Sequence, residues 1–357
     1  MQRSGFAGVA AFLLCAGVAQ ARPFDDPRAP GWPALDQAGA TEARDPACIA
    51  TQLVATGGAS PRDRHTLAVR WAGVANFELA VDGKVLLLDA FYDRGSLWLP
   101  LGFNAANVVR ADAILLGHGH FDHMADAASV GKRTGAIIVG APVTTEKLAT
   151  QGVDPKQVRT VTGKGGEALA FGPITVEPIL ARHGEPAKKI TETMESALDS
   201  LLPPLSEADK EEQKAIMARG TSDPRVITEG TIAYLITLDD GFRILWRDSG
   251  GHVTPYERQA MARVGRVDLA LVALSADYLE NLVIAQALEH ARLYRPTVFM
   301  PAHHDAPLGG HAPLWRATEP VFEALKQEDP SLVTVSREYG EPVCFNTEFN
   351  LSHGEPH

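Results

Sequence analysis

The chain has 357 residues, 45% hydrophobic and 22% charged, which is ordinary for a globular protein and leaves room for one large domain or two of common size. Acidic residues outnumber basic ones by 44 to 33, a formal net charge of -11, and this balance excludes the basic face that a nucleic-acid surface needs. A solvated acidic surface accounts for the rest of the charge.

The first 21 residues read as an address rather than as structure. Arg3 gives a positive start, residues 6–18 form a short uncharged run, and Ala19-Gln20-Ala21 offers the small-x-small cleavage site of a secretory signal peptide. The run is too short to span a bilayer. The expected product is a secreted, periplasmic protein with no transmembrane segment in the mature chain. Two of the three cysteines, Cys48 and Cys344, then remain near its ends. In an oxidising compartment they either close one disulfide or stay as two buried thiols.

Residues 22–64 are rich in Pro, Ala, Asp and Arg, lack periodicity and read as an irregular lead-in. A single domain is expected over 65–350. It opens with strands at 66–71, 76–81 and 84–88, the last two joined by Asp82-Gly83, a strong hairpin signal. Ala113-Ile114-Leu115-Leu116 reads as a buried strand and runs into Gly117-His118-Gly119-His120-Phe121-Asp122-His123-Met124. A strand at 136–139, a helix at 144–151 and a strand at 174–180 follow. Residues 188–222 change character, with amphipathic helices at 192–202 and 207–217 around Pro203-Pro204. This insertion is either a lid over a site or a solvated excursion. Strands at 231–238 and 242–246 pair across Asp239-Asp240-Gly241. Buried strands at 269–274 and 297–300 flank a helix at 279–293, and a helix at 314–327 closes the domain. Strands grouped as hairpins and then mixed with helices imply sheets covered by helices, an α/β arrangement.

The chemistry lies just past the apolar strands. One delivers His118, His120, Asp122 and His123; later ones deliver His183, Asp248, and His303-His304-Asp305. If those strands run the same way, the groups converge on one sheet edge. Imidazole and carboxylate are the donors a divalent transition metal takes. His118 and His120 share one side of an extended segment and suit one ion, while Asp122 and His123, beyond the turn, reach a second. With His183, Asp248 and His303 the donors suffice for two ions, and the Asp248 carboxylate can bridge them where an imidazole cannot. Zinc is expected first, with manganese or iron as alternatives. His303 is favoured over His304 because it comes first after its strand; His304 and Asp305 then face substrate or support the ligands from behind. His252, His290 and His65 read as surface or packing residues, and His311, His353 and His357 have no stronger claim. Tyr92, Trp98 and Arg182 either shape the pocket or serve the core.

The order His118-x-His120-x-Asp122-His123, His183, Asp248, His303 resembles the metallo-β-lactamase superfamily. The resemblance covers residues 66–345. It implies a four-layer αββα sandwich of two mixed sheets flanked by helices, with the metals at one edge. It also implies a supporting role for Asp89, which ends the strand before it. Within the superfamily, Trp71-Ala72-Gly73, Asn76-Phe77 and Leu88-Asp89-Ala90-Phe91 are most similar to the branch holding ascorbate-6-phosphate lactonase and N-acylphosphatidylethanolamine-hydrolysing phospholipase D. The implied activity is a hydrolase in which a metal-held hydroxide attacks an ester, lactone or phosphodiester in a small-molecule or lipid-like substrate, with Asp122 and Asp248 as catalytic carboxylates. An iron-dependent oxidoreductase on the same fold, a β-lactam hydrolase and a metal-holding protein without catalysis are the alternatives.

Overall fold

Strand-length runs of aliphatic residues with side chains alternating between two apolar faces need cover on both sides, and the fold supplies it with two sheets and two helical layers. The computed structural model describes residues 45–184, 204–274, 280–305 and 318–348. The expectations for residues 1–44, the helix at 192–202, the start of the closing helix, and His311, His353 and His357 lie outside them.

The first half of the chain gives β1 Thr66–Trp71, β2 Phe77–Val81, β3 Lys84–Leu88, β4 Ala113–Leu115, β5 Ile137–Gly140 and β6 Val158–Thr160, with α1 Phe121–Met124, α2 Ala127–Thr134 and α3 Pro142–Thr150 between them. The second sheet is built from β7 Leu169–Phe171, β8 Ile174–Leu180, β9 Ile232–Leu238, β10 Arg243–Arg247, β11 Leu269–Ala273, β12 Val298–Ala302 and β13 Val333–Thr334. Between those strands run α4 Glu207–Met217, α5 Arg225–Glu229, α6 Pro255–Val264, α7 Glu280–Tyr294 and α8 Glu319–Glu328. The last strand, β14 Pro342–Asn346, returns to the first sheet. The orders are β14-β1-β2-β3-β4-β5-β6 and β13-β12-β11-β10-β9-β8-β7. Both sheets are mixed, and helices cover their outer faces, so the expected αββα sandwich is what the chain forms.

Alternation sorts the core into three layers. Leu67, Val69 and Trp71 of β1 and Ile232, Tyr234 and Ile236 of β9 meet between the sheets. Leu87 and Ile114 turn outward onto Met124, Val130 and Leu148. On the other side, Leu235, Leu245 and Ala270 face Met261, Ala287 and Phe322. In the Asp82-Gly83 turn both residues have positive φ, 43° and 71°. That is the geometry of a two-residue hairpin of the expected kind.

The direction of the strands places the site. β3, β4 and β5 are parallel, as are β10, β11 and β12. β8 is antiparallel to β9, which is antiparallel to β10, so β8 shares β10's direction. The segments after β8, β10 and β12 therefore leave the second sheet at one end.

Two further segments are held against this frame. The part of the lead-in that the structure describes, from residue 45 onward, is not loose. Its backbone is anchored on a buried pair, Arg70 and Glu78, whose Nη1 and Oε1 lie 3.1 Å apart. Glu78 accepts the amides of Val54 at 2.9 Å and Ala55 at 2.6 Å, and Arg70 donates to the carbonyls of Ala47 and Ala50. Cys48 and Cys344 are disulfide-bonded, with Cα atoms 5.8 Å apart, and tie this segment to β14. A segment without periodicity can still be ordered when buried charges take up its amides. The described half of the insertion, α4, is also docked. Ile216 is buried with Phe91 and Trp98, and Ser96 donates its amide to Glu212 at 2.8 Å.

Candidate metal centre

Strand β4 ends at Leu115, and the next turn is built for close approach. Asp89 takes φ of 59° at the end of β3 and accepts the Gly117 amide through Oδ1 at 3.0 Å. Its other oxygen lies 2.6 Å from His123 Nδ1. This contact turns the far nitrogen of His123 toward Asp122, with 3.6 Å between Nε2 and Oδ2. A Cβ on Gly117 would stand 2.0 Å from the Asp248 carboxyl carbon, so only glycine lets that carboxylate approach.

Three groups of donors meet here, each with its ligand atoms within 4.8 Å of one another. The first is His118, His120 and His183; the second is His118, His123 and Asp248; the third is Asp122, His123 and His303. The Asp248 group shares His118 with one neighbour and His123 with the other, so its carboxylate stands between the two. His118 Nε2 lies 3.0 Å from His120 Nδ1, while its own Nδ1 is 2.5 Å from Asp248 Oδ2. His303 Nε2 is 3.4 Å from Asp122 Oδ2. His183 packs edge-on to His118 and His120, at 4.7 and 4.8 Å between ring centres.

Burial sets the protonation of these groups. It pushes His118 well below its usual value, with the neighbouring His123, His120 and His183 adding to the effect. His120 falls to about 4 for the same reason, with the neighbouring His183 adding to the effect. Burial also lowers His123 and His183. Burial alone would raise Asp122, but His123 and His303 outweigh it and hold that carboxyl well below the usual range. For Asp89 and Asp248 burial prevails and both are raised. His303 goes up, because the Asp122 contact outweighs its burial.

The donors fit divalent metal. The imidazoles of the first group are held neutral, with lone pairs available, as ligands must be. Asp248 Oδ1 is buried without a hydrogen-bond partner, an arrangement that is costly for a carboxylate unless a cation answers it. The chain brings seven of the sequence-proposed residues together: His118, His120, Asp122, His123, His183, Asp248 and His303. Asp89 stands directly behind them. His304 turns away and stacks on Trp71 at 4.3 Å, and Asp305 pairs with Arg94 at 2.7 Å. Tyr92 packs with Phe103, and Trp98 packs with Phe91. The Arg182 carbonyl accepts from Arg247. Away from the centre, His252 pairs with Glu289, His290 is buried against Tyr294, and His65 contacts Asp240.

Sequence reasoning missed what holds Asp248 and His183. Arg247, fully buried, pairs with Glu257 at 3.0 Å and donates to the carbonyls of Ser249, Arg182 and His252. Ser249 Oγ accepts the Gly184 amide at 2.9 Å. Arg247 thus ties the corner before His183 to the corner after Asp248. An arginine closing the apolar run Ile244-Leu245-Trp246, next to Asp248, was the available signal.

Residues 84–198 match the beta-lactamase superfamily domain. A UPF0173 metal-dependent hydrolase of Cupriavidus necator is 24% identical over 279 residues, 78% of this chain and 85% of that protein. A UPF0173 metal-dependent hydrolase of Methanopyrus kandleri is 33% identical over 97 residues, which cover 27% of this chain and only 40% of that protein. Among solved structures, Igni18, a novel metallo hydrolase from the hyperthermophilic archaeon Ignicoccus hospitalis, superposes with a TM-score of 0.51 at 17% identity. That superposition covers 78% of this chain and 98% of Igni18. Residues 84–198 are thus similar to the beta-lactamase superfamily domain, and the fold is one shared with Igni18.

Proposed function

We propose that the protein is a secreted metal-dependent hydrolase that holds two divalent ions, zinc by preference, in this cluster of His and Asp donors. One observation carries this reading: His118, His120, Asp122, His123, His183, Asp248 and His303 come from four separated segments into one cluster. The relatives named metal-dependent hydrolases support it. His118, His120 and His183 would hold one ion, and Asp122, His123 and His303 the other, with Asp248 shared between them. Ions so held would lower the pKa of water to about 7 and polarise a carbonyl or phosphoryl oxygen.

The residues prepare that chemistry. Asp89 fixes the His123 ring by taking its Nδ1 side. The His183 Nδ1 lies 2.5 Å from the Gly184 carbonyl, which leaves Nε2 to face His118 and His120. Asp122 stays ionised at neutral pH, and its Oδ2, which faces His123 and His303, would be the donor it offers to the second ion. Arg247 keeps Asp248 from drifting out of the cluster by holding the backbone that follows it.

The proposed substrate is an ester, lactone or phosphodiester. The Trp71-Ala72-Gly73 and Asn76-Phe77 segments favour the lactonase and phospholipase D-like branch. Asn76 serves the fold there, donating to the Gly73 carbonyl at 2.7 Å and accepting the Phe91 amide at 2.9 Å. The Cys48–Cys344 disulfide and the residue 1–21 signal support export to an oxidising compartment. Among the described residues no helix is long and apolar enough to cross a membrane. The test is metal analysis of the purified protein, then a panel of lactones, phosphodiesters, esters and β-lactams. Hydrolysis of at least one class, lost in Asp248→Ala together with metal, is expected. A coloured, iron-loaded protein that hydrolyses none of them would overturn the reading in favour of redox chemistry. The mature N-terminus of exported protein should be Arg22; an intact Met1 on exported material would contradict the leader.

A further inference from the structure

A second knot of buried polar groups lies behind His303. The Arg94 side chain, 3% exposed, donates through Nη2 to Asp305 Oδ2 at 2.7 Å and through Nη1 to the Tyr339 hydroxyl at 3.1 Å. Tyr339 donates its own hydroxyl hydrogen to the same Asp305 oxygen. The guanidinium sits over Trp98, 4.5 Å from the ring centre, and a Cβ on Gly73 would collide with it at 2.3 Å. So the 72–76 loop wraps closely around Arg94.

The other Asp305 oxygen reaches the metal corner through one residue. Oδ1 accepts the Val74 amide at 2.9 Å. The Val74 carbonyl accepts the His303 amide at 2.7 Å and Trp71 Nε1 at 2.8 Å. Val74 and His303 are both in the left-handed region, with φ of 50° and 61°. A β-branched residue rarely adopts that conformation, and it persists only where the surroundings over-determine it. Here the surroundings are the Asp305 carboxylate on one side of Val74 and the His303 amide on the other.

We infer that Arg94, Asp305 and Tyr339 form a positioning clamp that acts through Val74 to hold His303 against Asp122. Their effect is to choose the backbone conformation from which the His303 ring reaches Asp122, and so to set the Asp122, His123 and His303 group apart from His118, His120 and His183. The inference rests on the reading of His303 as a ligand only for its consequence in metal binding. The conformational part stands on the hydrogen bonds alone.

The experiment has a metal-free arm and a zinc arm, run on the mature chain as wild type, Asp305→Asn, Arg94→Lys and Tyr339→Phe. In the metal-free arm, hydrogen exchange at the Val74 and His303 amides is expected to speed up by about tenfold or more in Asp305→Asn, the worth of one hydrogen bond to a charged group. Arg94→Lys and Tyr339→Phe, which keep part of the clamp, should fall between it and wild type. Exchange across 117–124 should stay within about twofold of wild type. In the zinc arm, titration against a chromophoric chelator should show the second equivalent weakened about 10–100-fold and the first unchanged. Unchanged exchange at Val74 and His303, or equal loosening at 117–124, overturns the clamp. Should Asp305→Asn fail to fold, Tyr339→Phe decides by the same comparison. A wild type that takes up no zinc would refute the proposed function, while the exchange arm still decides the clamp.

Discussion

Placing a methyl group on Gly117 tests the geometry of the centre at its tightest point. In Gly117→Ala the new Cβ would lie 2.0 Å from both Cγ and Oδ2 of Asp248, and 2.5 Å from Oδ1. To regain ordinary contact the carboxylate must retreat by about 1.4 Å, and Asp248 is fully buried with Arg247 fixing the backbone around it. Such overpacking costs about 1–3 kcal/mol, and a displacement of this size in a reacting group costs about 100-fold in rate. The assay is metal content by mass spectrometry, the thermal midpoint by calorimetry, and turnover on whichever substrate the panel identifies. Gly117→Ala should hold less metal, melt lower and lose most of its activity. Gly119→Ala is the control, since its Cβ meets only the ends of side chains, Thr221 Cγ2 at 2.7 Å and Thr144 Oγ1 at 3.1 Å. Its losses should be clearly smaller. Full metal content and unchanged turnover in Gly117→Ala would refute the placement of Asp248 in the centre.

Reducing the Cys48–Cys344 disulfide, or replacing both cysteines by serine, should cost about 2–5 kcal/mol, because it closes a loop with a sequence separation of 296. Calorimetry with and without reductant checks it, and an unchanged midpoint would contradict it. Arg247→Met should cost about 3–5 kcal/mol in a denaturant titration, since it leaves Glu257 buried without its partner; a loss under about 1 kcal/mol would contradict the bracing role. His120 is depressed from 6.5 to about 4 in the folded chain, so the unfolded chain binds more protons between those values. Metal-free protein should accordingly lose stability as pH falls from 6.5 to about 4, and His120→Gln should show a shallower fall. Identical slopes would count against a buried, neutral His120.

The parts of this molecule legible in its sequence are those governed by short-range pattern. Runs such as 66–71 and 174–180 alternate or are wholly apolar, and they form β1 and β8 with the expected bounds. The helix at 207–217 is announced by Ser206 and Asp209, which cap it reciprocally. Each residue read as a site candidate from its place after a strand can be found that way because strand ends are local. Short edge strands were not legible. Val158–Thr160 and Leu169–Phe171 owe their form to neighbours rather than to their own pattern. The α6 helix, Pro255–Val264, was missed although Thr254, Pro255 and Glu257 give it an N-terminal capping box. Pairings between distant residues were hidden most deeply. Nothing near Arg94 points to Asp305 or Tyr339, and nothing in residues 45–64 shows that Glu78 and Arg70 will gather their backbone.

The central claim is that the His118–His123 turn, His183, Asp248 and His303 hold two divalent ions on which hydrolysis depends. The most direct measurement is stepwise zinc titration of chelator-stripped protein, with bound metal and hydrolysis followed together. The account predicts two equivalents bound, with hydrolysis returning as they bind, and loss of the second equivalent in Asp248→Ala. Hydrolysis by fully stripped protein, or no zinc bound at all, would contradict it.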